Sequence, residues 1–65
     1  MMVIDVIDCV EDIHRVRHDG DAAHSKEDKL YEDVLRAIAD DCLFPQLLAK
    51  IALKTKQIKF TRYTS

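Results

Sequence analysis

At 65 residues, with two cysteines and a formal net charge of −2, the chain has room for one domain with a small core and too few cysteines for a secreted disulfide framework. With one glycine, one proline, 48% hydrophobic and 34% charged residues, the composition excludes a disordered tail and suits a folded helical domain. The opening MMVIDVIDCV has no positive n-region and is broken by Asp5 and Asp8. Neither a signal peptide nor a membrane span is therefore expected, and a reduced, cytoplasmic setting is.

The first predicted element is a helix over residues 2–18, with Val3, Val6, Val10 and Ile13 at helical spacing and Asp5, Asp8, Asp12 and Arg15 as a polar stripe opposite. A strand competes, because Val and Ile dominate, but adjacent apolar pairs at 3–4 and 6–7 break strict alternation. Arg15, Arg17 and His18 in the last turn suit the helix dipole, and Gly20 reads as the C-cap. Met2, Ile4, Ile7, Cys9 and Val16 widen the apolar face beyond the stripe a surface helix needs, so a cover outside one small core is expected.

A second helix is predicted over 26–40, with Ser25 as N-cap, Asp28 in the capping-box position and Glu27 beside it in the first turn. Leu30, Tyr31, Val34, Leu35, Ile38 and Ala39 form its apolar face, with Glu32, Asp33 and Arg36 outside. Residues 40–44 read as a turn into Pro45, the first position of a third helix over 45–56. Leu47, Leu48, Ile51 and Ala52 give that helix its buried face, and Lys50 and Lys54 lie outside. In the tail, 57–65, Ile58 and Phe60 alternate with Lys59 and Thr61, which predicts an extended segment or short strand. The whole is expected to be one all-α domain of three helices with a short extended C-terminal segment, over 1–65.

Charge is unevenly spread. Residues 1–41 hold all twelve acids against five Lys/Arg, net −7, and residues 42–65 hold five Lys/Arg and no acid. Such opposed halves attract each other within or between subunits, or leave the basic half for an acidic partner.

The stretch AHSKEDKLYEDVLRAIAD, followed by LLAKIALKTKQIKFTRY, resembles a family of short proteins carried by temperate phages and prophages. The resemblance rests on Ala23, His24, Glu27, Asp28, Leu30, Tyr31, Val34, Leu35, Ile38 and Ala39, then Leu48, Ala49, Ala52, Leu53, Ile58, Phe60, Arg62 and Tyr63. The first helix lies outside it. The chain departs from the family pattern at Asp41 and Phe44, where Gly and Asp are expected. The resemblance implies a phage-encoded accessory protein acting on a host factor, and no enzyme activity.

Motif chemistry is sparse. His14 and His18 at i,i+4, with His24 and Glu27, are the one set with metal-ligand potential, but no CxxC or HExxH pattern accompanies them. Cys9 and Cys42 lie on or near apolar faces with no base at diagnostic spacing, and a single glycine leaves no phosphate loop or nucleophile elbow. No catalytic residue, metal or cofactor is therefore assigned. Two classes of function remain. One is a protein–protein interaction module, an adaptor or inhibitor, expected to form a homodimer or bind a host or phage protein through Val3, Val6, Ile7, Val10, Ile13 and Phe60. The other is a nucleic-acid binder using Lys50, Lys54, Lys56, Lys59 and Arg62, with Phe60 and Tyr63 stacking on bases. Against it, the third helix begins Pro-Gln-Leu-Leu, without base-reading side chains.

Overall fold

The computed structural model describes residues 1–62; the last part of the predicted tail, Tyr63 included, lies outside them. The chain folds as three α-helices, α1 (Val3–Arg15), α2 (Gly20–Ala39) and α3 (Pro45–Ala52), then a 3₁₀ turn (Leu53–Gln57) and an extended run to residue 62. Among the described residues there is no strand. The alternation of Ile58 and Phe60 is that of an extended segment laid on the core, and both side chains pack partly buried against it.

Helix α1 is held at its start by Asp5, whose carboxylate accepts the Met2 N–H at 2.7 Å. It ends three residues earlier than helical spacing suggested, because 3₁₀-type bonds from Arg17 N–H to His14 C=O and from Asp19 N–H to Val16 C=O tighten the chain into a turn. Gly20 is not its C-cap. Asp19 caps α2 instead, accepting the Ala22 N–H at 3.2 Å, so that α2 starts at Gly20 and not near Ser25. The segment GDAAHS thus lies in the first two turns of α2, and Ser25, Glu27 and Asp28 lie inside the helix. Gly20 has an ordinary φ. Its role is spatial: a Cβ there would meet the Thr61 carbonyl oxygen at 2.9 Å and the Thr61 Cβ at 3.0 Å.

Helix α2 closes in a Schellman motif, with the Cys42 N–H bonded to Ala37 C=O and the Asp41 N–H to Ile38 C=O. Asp41 supplies the left-handed residue that motif requires, at φ 59°, and Phe44, at φ 57°, is a second one just before Pro45. Helix α3 begins at Pro45 as predicted and gives way at Leu53 to the 3₁₀ turn, which draws Thr55 fully into the interior.

The core is built from Val6 and Ile13 of α1, Ala23, Leu30 and Val34 of α2, and Leu48 and Ala52 of α3. Helix α1 packs against α2, α3 and the 3₁₀ turn, so more of its wide apolar face is covered within one chain than expected. Val6 and Ile13, expected at an interface, are completely buried, and Val3, Cys9, Val10 and Val16 are partly buried against the same core. What α1 leaves outside is Met2, Ile4 and, at its margin, Ile7.

The contact at Gly20 has a direct consequence. Gly20→Ala should lower stability by about 1–2 kcal/mol despite the better helix propensity of alanine, because the new methyl meets backbone that can yield only if the tail lifts. Urea denaturation followed by circular dichroism checks this; a raised midpoint would show that the tail does not lie on the start of α2.

Candidate interaction surfaces and a buried ion pair

Glu27 sits on the inward face of α2, 2% exposed, amid apolar side chains. A carboxylate so placed needs a partner. Arg62 supplies it from the other end of the chain: Nε donates to Oε1 and an Nη to Oε2, both at 3.1 Å, a bidentate pair. The same Arg62 Nη group donates to the carbonyls of Thr55 at 2.8 Å and Ile58 at 3.2 Å, while the guanidinium lies 3.7 Å from the Phe60 ring centroid. The Tyr31 and Thr55 hydroxyls, 2.6 Å apart, complete the network, with Tyr31 reaching Glu27 Oε2 at 3.4 Å. No buried side-chain polar atom among the described residues lacks a partner. Burial pushes the Glu27 carboxyl up, but hydrogen bonds from Arg62 and Thr55 and the charges of Arg62 and Lys56 outweigh it and hold the group below the usual range. Glu27 is thus an ionised anchor.

The other residues singled out from sequence are dispersed. His24 pairs with Asp28 at 3.5 Å and His14 with Arg17 at 3.2 Å, and no group of three or more His, Cys, Asp or Glu is placed to hold a metal among the described residues. Burial first, then the carboxylates of Asp33, Asp12, Asp5 and Asp8, push the Cys9 thiol above its ordinary value, away from thiolate chemistry. Of the five expected phosphate contacts, Arg62 is committed to Glu27. Lys50, Lys54, Lys56 and Lys59 are exposed and make no ion pair with a described carboxylate; Lys56 lies 5.8 Å from the Tyr31 ring centroid. Phe60, expected both at an interface and against bases, packs on the core beneath Arg62.

Two apolar surfaces remain open. A groove of about 260 Å³ runs between α2 and α3, with Leu35 and Leu53 on its walls and Tyr31 and Ala52 deeper. A wider shelf of about 530 Å³ is formed where the start of α1 (Met2, Ile4) meets the α2–α3 connection (Leu43, Phe44), and it continues through Phe44 to Pro45 and Leu47. Leu43 and Phe44 are 76% and 65% exposed, with the backbone of Phe44 in the left-handed region. That combination is costly: an aromatic residue in a disfavoured conformation is presented to solvent. In sequence this connection reads only as a turn, and the hydrophobic pair Leu43 and Phe44 beside Pro45 is the signal of its exposed apolar surface.

No family model, curated protein or solved structure matches this chain.

Because Glu27 ionises more readily in the fold than in the unfolded chain, its stabilisation is present above the ordinary glutamate range and is lost as pH falls through the lowered folded value. Arg62→Ala should cost about 2–3 kcal/mol at neutral pH, less than a fully buried pair because Arg62 is partly exposed, and the loss should shrink on acidification. Arg62→Lys, without the planar fork, should recover only part. Urea midpoints from pH 7 to pH 3 test this; a deficit independent of pH would mean that the ion pair is not its source.

Proposed function

We propose that the protein is a non-enzymatic protein–protein interaction module, a small phage-encoded accessory protein that acts as an adaptor or inhibitor of a host or phage factor in the host cytoplasm. The observation that carries this reading is the apolar shelf of Met2, Ile4, Leu43, Phe44 and Leu47, left open by a chain whose core is closed and whose buried polar groups are paired. Large exposed apolar patches on small domains mark interaction sites. The phage setting rests on the sequence resemblance alone. A non-catalytic role is supported by the quiet chemistry of the best acid/base and nucleophile candidates, Glu27 in the grip of Arg62 and Cys9 with its raised pKa. No helix among the described residues is long and apolar enough to cross a membrane. A homodimer through the first helix is narrowed to Met2, Ile4 and Ile7, because Val6 and Ile13 are spent on the core.

One observation favours a second reading, nucleic-acid binding: Lys50, Lys54, Lys56 and Lys59 are all exposed. With Arg62 and Phe60 withdrawn into the closure of the fold, this set has lost its bidentate cation and one of its two expected stacking rings.

Affinity capture from bacterial lysate, with and without nuclease, separates the two readings. A partner that survives nuclease and is lost with Phe44→Ser, a change at an exposed site that leaves the core intact, is the expected result. Retention that disappears with nuclease and with Lys54→Glu/Lys56→Glu, and is indifferent to Phe44→Ser, would replace it by the nucleic-acid reading.

A further inference from the structure

The shelf has a charge environment as well as an apolar floor. On α1, Asp8 and Glu11 follow Ile4 at i+4 and i+7 and so share its outward line. At the other edge Asp41 lines the depression itself, next to Asp40. Before Arg15 the chain has no Lys or Arg. Along the flank of α1 and α2 four acids have partners: Asp12 with Lys26 and Arg15, Asp28 with His24, Glu32 with Arg36, and Asp33 with Lys29. Asp8, Glu11, Asp40 and Asp41 make no ion pair with any described residue. Against these four carboxylates stand two cations, the α-ammonium of Met1, which lines the depression, and Lys50, beside Leu47 at the far edge.

Resting on the interaction-module reading, we propose that the shelf binds a basic amphipathic helix of another protein, its apolar side chains on Ile4, Leu43 and Phe44 and its lysines or arginines over Asp8, Glu11 and Asp41. An apolar helix face laid into a groove between helices is a recurrent recognition mode, and like-signed charge along the rim selects partners of opposite sign. The same rim works against the other occupants. A second copy related by a two-fold axis would set this acidic rim against itself, since an isologous contact pairs the same patch on both subunits. An anionic lipid surface would be repelled by it.

The test is a titration of ¹⁵N-labelled full-length protein with two synthetic helical peptides sharing one leucine face, one with lysines and the other with glutamates beside it. The lysine peptide should shift the amides of Ile4, Ile7, Leu43 and Phe44 saturably. Phe44→Ala should weaken it by about tenfold or more, as for a central aromatic anchor. Asp8→Lys/Glu11→Lys should reverse the preference between peptides. Equal binding of the glutamate peptide, binding indifferent to Phe44→Ala, shifts confined to the α2–α3 groove, or concentration-dependent dimerisation through the same amides would each overturn the proposal. So would silence with both peptides, whereas a nuclease-resistant partner lost with Phe44→Ser would then leave the broader reading in place.

Discussion

A carboxylate buried on α2 and a guanidinium 35 positions later hold the extended run that ends at residue 62 to α2. Removing Glu27 from water is unfavourable unless its lone pairs are filled and its charge is matched, and Arg62 does both through a bidentate contact. Because Arg62 also bonds the carbonyls of Thr55 and Ile58, the pair sets the 3₁₀ turn and the path of the tail beyond it. That path puts Ile58 and Phe60 against the core and Thr61 against Gly20. A small core gains little margin from apolar burial alone, and the closure ties the ten described residues after α3 to it.

The closure also explains which parts of the fold could be read from sequence. The start of α3 at Pro45, the extended character of residues 58–62 and most of the three apolar faces follow from spacing and local chemistry, and the structure has them. Leu35 and Ala39 of α2 and Leu47 of α3, expected on those faces, are exposed because no further described element covers them. The start of α2 was misplaced because two plausible caps compete within seven residues. Asp19 wins over Ser25, and Gly20, which looked like a stop signal, is needed for the close approach of Thr61. Beside an N-cap at Ser25, Glu27 is a first-turn charge; with the cap six positions earlier, at Asp19, it turns inward. Its partner could not be found from periodicity, since a single ion pair across so long a separation leaves no periodic trace. The spacing of Glu27 and Tyr31 at i,i+4, with a lone arginine in the tail, was the only hint.

The same closure shapes the exposed surface. With α1 enclosed by α2, α3 and the 3₁₀ turn, its apolar width is divided between a core side, Val3, Val6, Val10 and Ile13, and a small outer remainder, Met2, Ile4 and Ile7. That remainder adjoins the α2–α3 connection, where left-handed residues at Asp41 and Phe44 turn Leu43 and Phe44 outward. Basic character is divided too: Arg62 is consumed by the core, and the lysines of α3 and the turn remain in solvent. The fold therefore leaves exposed an apolar shelf with carboxylates nearby, a groove between α2 and α3, and a separate lysine-bearing edge.

The central claim is that Glu27 and Arg62 act as one unit that fastens the tail. A double-mutant cycle with Glu27→Gln, Arg62→Met and their combination, measured by urea denaturation at neutral pH, tests it most directly. The account predicts that the combined variant is less destabilised than the two single losses together, with a coupling of about 1–3 kcal/mol. Additive losses would contradict it, because each side chain would then be stabilising the fold independently of the other.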